Sequence, residues 1–313
     1  MSTQITEAFV KQFNSNVFHL SQQKGSRLRG LVRQESQNGK SQFFDIIGSV
    51  TAQKHTTRHG DTPLIDTPHS RRRVTLSSYK HADLVDDSDK IKLLIDPASN
   101  YSMAFSMAFG RAQDDEIITA ALGNAFSGEE GATITALPTA QKVAAHDGAT
   151  TTGVNLNVRT LRKVKEKFDA NDVDESIPRN FAITSSQLQS LLAETEVTSS
   201  DFASVKALVQ GEVDSFMGFK FIRTERLVRS ATNITYTVTN GVTGAGTGTI
   251  TAANSRRCIA WAQDGLLLAI GDDMKARMTE RDDKNYSMQV FMSMDIGATR
   301  LEDAKIVEVD CSE

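Results

Sequence analysis

The first 40 residues most constrain what this chain can fold into, because their apolar side chains are scattered among Gln, Ser, Asn, Lys and Arg. One apolar stripe at helical spacing predicts a short amphipathic helix that ends before residues 24–26. The residues of that stripe are Phe9, Phe13, Val17 and Leu20. Such a helix has too little apolar surface to be stable alone, so this segment needs a partner surface.

Residues 41–85 show the same requirement in a different form. Two short strands are predicted at residues 43–47 and 73–76, and the polar segment between them contains Pro63 and Pro68. The simplest interpretation is a long two-stranded ribbon that projects from the body. Because an isolated two-stranded ribbon is only marginally stable, we expect it to pack on another surface. A neighbouring copy of the chain is the obvious candidate.

Charge is distributed unevenly along the 313 residues. Residues 1–81 carry twelve Lys and Arg against five Asp and Glu, a net charge of +7, which leaves −11 for residues 82–313 out of the total of −4. The two parts attract each other. We therefore expect the basic part to meet acidic faces of sibling subunits, or to contact nucleic acid without sequence specificity.

After residue 97 the pattern is that of a folded body with both helices and strands. A long helix is predicted over residues 99–122, and it ends before Gly123. Two shorter helices are predicted at residues 159–167 and 185–192. Strands are predicted at residues 181–184, 219–223, 259–261, 290–294 and 305–309, and an exposed hairpin is predicted at residues 232–254.

Local motifs for catalysis or ligand binding are incomplete. The Gly-Lys-Ser run at residues 39–41 lacks the earlier glycine and the preceding strand of a phosphate-binding loop, and the acidic run at 169–174 lacks the turn glycine of a calcium loop. Cys258 and Cys311 are predicted to be reduced and mostly buried. The Asp pair at 272–273 is predicted to be solvated in a turn. We therefore predict no catalytic, cofactor-binding or metal-binding residues.

Apolar runs in this sequence are short. The most apolar stretch, residues 265–270, is far below the ~18 residues that a membrane helix needs. The polar N-terminus has no basic start followed by an apolar region, so no secretory signal is predicted. We expect a protein that is made in the cytoplasm and has no membrane partner.

Three segments, together with the order of the predicted elements, carry a resemblance to a known family. They are residues 179–192, residues 209–222 (VQGEVDSFMGFKFI) and residues 296–300 (IGATR). Each resembles a passage of the HK97-like capsid fold of tailed-phage major capsid proteins, and the likeness covers nearly the whole chain. Within these segments, Gly218 is expected to permit a turn before a strand, and Gly297 to permit a bend with positive φ.

The resemblance implies an α+β fold with the five regions of that family. These are an N-terminal arm at residues 1–40, an extended two-stranded E-loop at 41–85, a P-domain at 86–155 that includes the long spine helix, an A-domain at 156–280, and a C-terminal return to the P-domain at 281–313.

The resemblance also implies a function. The chain is expected to be a non-enzymatic major capsid protein of the virion, assembled in the host cytoplasm into hexamers and pentamers of an icosahedral phage head around double-stranded DNA. Other implied partners are a portal, decoration proteins, and a separate scaffolding protein or none. Lys54 on the projecting loop does not suffice to predict the cross-links of the type member. The candidate inter-subunit contact residues are Phe9, Phe13, Arg27, Arg29, Arg58, Arg71, Arg72 and Arg73.

Three alternatives stay open at the level of the sequence. An encapsulin-like compartment shares the fold but encloses protein cargo. A nucleic-acid-binding protein could use the basic N-terminal region, and its affinity would then fall steeply with salt. An enzyme whose site is assembled from distant residues leaves no local motif.

Overall fold

A computed structural model describes the protein over residues 22–54, 56, 58, 64–85, 97–146, 153–194, 215–230, 233–240, 244–251 and 255–313. The helix predicted around Phe9 and Phe13 lies outside these residues. The chain divides into two compact units. The first unit comprises residues within 1–26, 78–112 and 272–295, and the second comprises residues within 27–77, 113–271 and 296–313.

The described elements mix helices and strands, as the α+β prediction requires. The helices are α1 (Pro97–Leu122), α2 (Val158–Ala170) and α3 (Ser185–Ala193). The strands before α2 are β1 (Arg33–Ser36), β2 (Ser41–Ile47), β3 (His69–Thr75), β4 (Ser77–Val85), β5 (Ala125–Ser127), β6 (Thr133–Thr135) and β7 (Lys142–Ala144). The later strands are β8 (Arg179–Ile183), β9 (Ser215–Phe216), β10 (Phe219–Arg223), β11 (Ile234–Asn240), β12 (Gly244–Ile250), β13 (Ser255–Ala262), β14 (Leu266–Arg281), β15 (Ser287–Arg300) and β16 (Ile306–Ser312).

The long predicted helix is confirmed as α1, which begins at Pro97, two residues earlier than expected. Proline is favoured in a first helical turn, where its missing N–H leaves no bond unmade. Ile117, Ile118 and Ala121 are buried in the second unit. The helix ends before Gly123, where a Cβ atom would lie 2.6 Å from the carbonyl oxygen of Thr119. A side chain at position 123 would therefore disturb the helix end.

A six-stranded sheet forms the core of the second unit, in the order β7-β16-β13-β8-β10-β9. Its strands β8 and β16 are buried almost throughout, although both contain polar or charged residues. Helix α2 packs on the sheet through Phe168, whose ring lies 5.8 Å from that of Phe219. Trp261 is buried, and its indole N–H donates to the carbonyl of Leu31 at 2.9 Å. The residues before β1 are thereby tied to the sheet.

The predicted pairing of the two-stranded ribbon is confirmed, but the prediction that the ribbon has only two strands is wrong at its base. Strands β2 and β3 are antiparallel, with Ser41 opposite Thr75 and Ile47 opposite His69. Strand β3 also pairs with β5, and β5 pairs with β6, so a four-stranded sheet supports the ribbon within the same chain. Strands β5 and β6 have three residues each, too few for an alternating pattern to be visible in the sequence.

The hairpin of β14 and β15 was only partly predicted. In the first unit, the outer part of β14 lies beside β15, which has β4 on its other side. The Asp pair at 272–273 lies within β14, so the prediction of a turn there is wrong. Every residue from 273 to 281 is exposed, on both faces of the strand. Because no face is buried in the subunit, the sequence shows no alternation of apolar and polar residues.

Two of the glycines singled out in the sequence have different roles. Gly218 has φ of 84°, which confirms the expected turn before β10. Gly297 lies inside β15, and it is not among the residues with positive φ, so the predicted bend is wrong. A Cβ atom at this position would instead overlap the carbonyl oxygen of Thr75. Gly297 is required because the backbone at the end of β3 passes directly over it.

A row of charged side chains crosses the interior of the six-stranded sheet. Lys142 is opposite Glu308 in the pairing of β7 with β16, and Arg257 is opposite Asp310 in the pairing of β13 with β16. Glu308 accepts from the Arg257 guanidinium and lies 3.4 Å from the Lys142 ammonium. Asp310 is fully buried, and neither of its carboxylate oxygens has a hydrogen-bond partner among the described residues. Burial and the neighbouring Glu308 charge raise the pKa of Asp310 to about 7, although Arg257 and Lys142 act in the opposite direction.

Asp310 should make the stability of the unassembled subunit fall as the pH rises. The folded chain keeps a proton on Asp310 that the unfolded chain releases near pH 3.8, so the free energy of unfolding decreases between about pH 4 and pH 7. The expected decrease from this group is about 3–4 kcal/mol, from a shift of about three pKa units. Urea unfolding at pH 4 and pH 8 measures it. Asp310→Asn should remove most of this decrease and Asp283→Asn, an exposed control, should not; parallel pH profiles for wild type and Asp310→Asn would refute the assignment.

The two cysteines are buried and free, as predicted. A hydrogen bond with Cys258, together with burial, raises the pKa of the Cys311 thiol well above its ordinary value. Both side chains therefore act as small apolar residues inside the sheet.

Candidate subunit interface

The ribbon of β2 and β3 has two chemically different faces. Along β2, half-buried and exposed side chains alternate. Phe44 and Ile46 are on the inner face, and they pack with Leu76 against a buried cluster of residues. The cluster consists of Val74, Leu267, Ala269 and Leu301. The base of the ribbon is thus fixed to the body, while the opposite face stays available.

The outer face carries a row of residues that crosses all four strands of its sheet. Phe43 is opposite Arg73, Arg73 is opposite Phe126, and Phe126 is opposite Ile134. The guanidinium of Arg73 lies 5.1 Å from the ring centre of Phe126, and that of Arg71 lies 5.3 Å from the ring centre of Phe43. Ile134 is 63% exposed and Phe126 is 38% exposed. We call these five residues the outer row.

An ion pair organises the edge of the outer row. Arg71 Nε donates to Asp45 Oδ1 at 2.6 Å, and the two residues are opposite each other on β3 and β2. This hydrogen bond and the Arg71 charge hold the pKa of the Asp45 carboxyl below its usual value. The pair is exposed, so it serves to orient Arg71 over Phe43 more than to stabilise the fold.

The three consecutive arginines divide between the two faces because side chains alternate along a strand. Arg71 and Arg73 belong to the outer row. Arg72 points to the inner face, where it pairs with Asp303 at 2.7 Å and donates to the carbonyl of Leu301 at 3.3 Å. Arg72 is therefore held on the inner face, whereas Arg71, paired with Asp45, and the half-buried Arg73 lie on the outer face.

Residues 27 and 28, within the predicted N-terminal arm, are anchored on α1. Asp114 is buried in the helix, and its carboxylate accepts from the backbone N–H groups of Arg27, at 3.1 Å, and Leu28, at 3.0 Å. The guanidinium of Arg27 donates to the carbonyl of Arg223. This part of the predicted arm thus has a fixed position in the subunit.

The remaining candidate contact residues are less constrained. Arg29 donates to the side chain of Gln34 at 3.3 Å, and Arg58 is exposed in the segment between β2 and β3. Phe9 and Phe13 lie outside the described residues. The structure therefore brings Arg71 and Arg73 together and places Arg27 and Arg29 near α1 and β1.

Arg300, in the segment that carried part of the family resemblance, proves to be a buried structural residue. Its guanidinium pairs with Asp303 at 2.9 Å and donates to the carbonyls of Thr135, at 2.9 Å, and Ala121, at 3.3 Å, and to that of Gly123. Arg300 thus satisfies carbonyls at the end of α1 and ties them to β6 and β15. Sequence reasoning missed this role, because an Arg after an apolar strand usually indicates an exposed end.

The described residues offer little basis for catalysis. They contain no group of three or more His, Cys, Asp or Glu side chains that could hold a metal ion. None of the helices they form is long and apolar enough to cross a membrane. What the described chain does present is an aromatic and basic face, an exposed loop and an exposed hairpin. Exposed faces of this kind are typical of a structural subunit that associates with other protein surfaces.

Comparison with known proteins identifies the family to which the chain belongs. A family model described as "Phage capsid protein" matches residues 5–313. The chain belongs to this family of phage capsid proteins, so its role is structural and not enzymatic, and it is a self-associating component of the virion capsid. No curated protein matches the sequence.

Solved capsid structures show the HK97-like fold. The chain is similar to the capsid protein of the cyanophage P-SCSP1u, with a TM-score of 0.71, 19% identity, and 99% of this chain and 94% of that chain covered. It is also similar to that of Helicobacter pylori bacteriophage KHP30, with a TM-score of 0.70, 11% identity, and 100% of this chain and 98% of that chain covered. For the capsid of Ralstonia phage GP4 the TM-score is 0.68 and the identity is 10%, with 97% of this chain and 95% of that chain covered.

Proposed function

We propose that this protein is the major capsid protein that forms the hexamers and pentamers of an icosahedral phage head around double-stranded DNA, and that it assembles in the host cytoplasm. The observation that carries the proposal is the exposure of the loop between β2 and β3. Every described residue from 49 to 68 is exposed. Nothing in its own subunit covers this loop among the described residues, so a neighbouring subunit is its partner.

The apolar content of the loop supports a protein partner. Leu64 is 96% exposed and Ile47 is 66% exposed, and Val50 and Ile65 are exposed as well. Fully burying one such side chain contributes about 1.5–3 kcal/mol. Few of these contacts are needed per interface, because a closed shell repeats the same contact between its many pairs of neighbouring subunits.

The outer row extends the same contact surface to the base of the loop. Aromatic residues and Arg are enriched in the centres of protein interfaces, and Arg71, Arg73, Phe43 and Phe126 supply both kinds. Arg27, Arg29 and Arg58, with Phe9 and Phe13 of the arm, are proposed as further contacts. The acidic remainder of the chain supplies the opposite charge for these arginines.

The division into arm, E-loop, P-domain, A-domain and C-terminal return, with the boundaries given above, is part of this proposal. So are a portal, decoration proteins, a scaffolding protein where one is used, and non-specific contact with DNA. The family assignment favours a phage head over an encapsulin-like compartment. Particles purified from an infected host would decide between them, because a head contains nuclease-protected DNA and a compartment contains protein cargo.

The double substitution Ile47→Ser and Leu64→Ser is expected to abolish particle assembly and to leave the fold of the subunit intact. Both side chains are largely exposed in the subunit, so their loss removes contacts with neighbours and little else. Electron microscopy and sedimentation measure the particles, and circular dichroism measures the fold. Val228→Ser is the matched control, because Val228 is an exposed aliphatic residue outside the loop. Normal particles from the double variant would contradict the proposal.

A further inference from the structure

A cavity with a mixed polar and apolar lining lies at the edge of the six-stranded sheet, beside β7. Its volume is about 630 Å³, and its walls come from β7, α2 and the start of β11, all within the second unit. It is lined by Thr139, Lys142, Val143, Ala144, His146, Lys163, Glu166, Lys167, Asn233 and Thr235. The outer row and the loop take no part in it.

Lysine ammonium groups dominate the charge of this cavity. Lys163 and Lys167 are one turn apart on α2, so they present two positive charges on the same face of the helix. Across from them, Lys142 of β7 lies 3.4 Å from the buried Glu308 carboxylate. Glu166 is the acidic residue of the lining. Among the described residues, no carboxylate is within ion-pair distance of Lys163 or Lys167.

The environment of Lys163 shows that the charges of Lys163 and Lys167 are only partly compensated. Its Nζ lies 2.7 Å from Nε2 of His146, which is a neutral acceptor when the lysine donates. Burial lowers the pKa of Lys163, and the like charges of Arg159 and Lys167 lower it further, while Glu166 acts in the opposite direction. An anion beside Lys163 and Lys167 would relieve both the repulsion and the cost of burial.

The uncharged part of the lining suits an oxyanion. Thr139 and Thr235 carry hydroxyl groups and Asn233 carries an amide, and these groups donate hydrogen bonds to phosphate oxygens in many binding sites. A metal cation is disfavoured by the three lysines. Val143 and Ala144 are the aliphatic residues of the lining, and the charged and polar side chains surround them. Lysine ammonium groups bind phosphate as point charges.

We propose that this cavity binds a phosphate-bearing anion, held by Lys163 and Lys167 of α2 and by Lys142 of β7. Its volume is within the ~300–1,000 Å³ of small-molecule sites, so it accommodates more than one phosphate group. The phosphate comes from a free anion in solution or from the backbone of a nucleic acid. The inference concerns the unassembled subunit and does not depend on the proposed shell.

Titration of the full-length unassembled subunit tests the proposal. Inorganic phosphate, inorganic triphosphate and a short DNA duplex are each added at constant ionic strength, and binding is followed by calorimetry and by 31P NMR. We expect saturable binding of triphosphate that is at least tenfold weaker in the Lys163→Gln, Lys167→Gln double variant. Lys165→Gln is the matched control: it removes the same charge from the same helix, but its side chain does not line the cavity. This control should bind like the wild type.

The three ligands distinguish the source of the phosphate. Duplex binding that is lost in the double variant identifies nucleic acid as the source, and triphosphate binding without duplex binding identifies a free anion. Either result supports the site. The proposal is overturned if none of the three ligands binds beyond an equal concentration of chloride, or if Lys165→Gln weakens binding as much as the double variant. Circular dichroism, together with a single Lys167→Gln variant of intermediate affinity, separates a binding defect from a folding defect.

Discussion

Replacing Arg300 with Met is expected to lower the free energy of unfolding of the subunit by about 3–5 kcal/mol, the usual cost of breaking a buried ion pair from one side. The guanidinium is fully buried. It donates hydrogen bonds to Asp303 and to the carbonyls of Thr135, Ala121 and Gly123. Methionine is of similar length but donates no hydrogen bond, so these carbonyls would be buried without partners. Chemical denaturation of the unassembled subunit measures the loss.

Two further variants make this expectation specific. Arg300→Lys keeps the positive charge but cannot reach several acceptors at once, so its stability should lie between those of wild type and Arg300→Met. Arg281→Met removes an exposed arginine that pairs with Asp283, and it should leave stability within the error of the wild-type value. A loss below about 1 kcal/mol for Arg300→Met, the range of an exposed ion pair, would mean that the buried network does not hold the end of α1.

Replacing Asp114 with Ala is expected to release residues 27 and 28 of the predicted N-terminal arm from α1. The carboxylate accepts hydrogen bonds from the N–H groups of Arg27 and Leu28, and the substitution leaves both donors without an acceptor. The expected loss of stability is about 2–3 kcal/mol, since hydrogen bonds to a buried charge are among the stronger ones. Trypsin cleavage after Arg27 and Arg29 should accelerate at least tenfold, because the local opening reaction becomes more favourable.

The neighbouring residue provides the control for this substitution. Asp115 pairs with Arg226 at the surface, where both side chains are partly exposed. Asp115→Ala removes the same charge from the same helix turn, and it should cost less than about 1 kcal/mol and leave the cleavage rate unchanged. Equal cleavage rates for the two variants would show that Asp114 does not anchor this segment.

The body of the chain could be predicted from its sequence because buried elements leave periodic patterns. The strand expected at residues 219–223 coincides with β10, and the helix expected at 185–192 is α3 with one further residue. In α2, Leu161, Val164 and Phe168 are fully buried, as their spacing on one helical face indicates. In each of these elements a face is buried within the subunit, so its own sequence shows which side is apolar.

Elements that lack a buried face in the subunit could not be predicted in this way. The exposed part of β14 shows no alternation, and β5 with β6 is too short to show one. Asp114 and Arg300 were missed for a related reason. The partners that make a buried charged residue necessary are far away in sequence. Asp114 accepts from the N–H groups of residues 27 and 28, and Arg300 donates to the carbonyl of residue 135. No local pattern contains that information.

The close approach of Gly297 to the carbonyl of Thr75 lies at the root of the ribbon, so a side chain at position 297 would push the end of β3 away from β15. The ribbon of β2 and β3 has seven residues per strand, a lever of about 23 Å at 3.3 Å per residue. A tilt of about 5° at its root would move the far end by about 2 Å. Close-packed side chains do not tolerate a displacement of this size. The largest displacement caused by a single methyl group at position 297 would therefore occur at the far end of the loop. There it would misplace the loop relative to the neighbouring subunit.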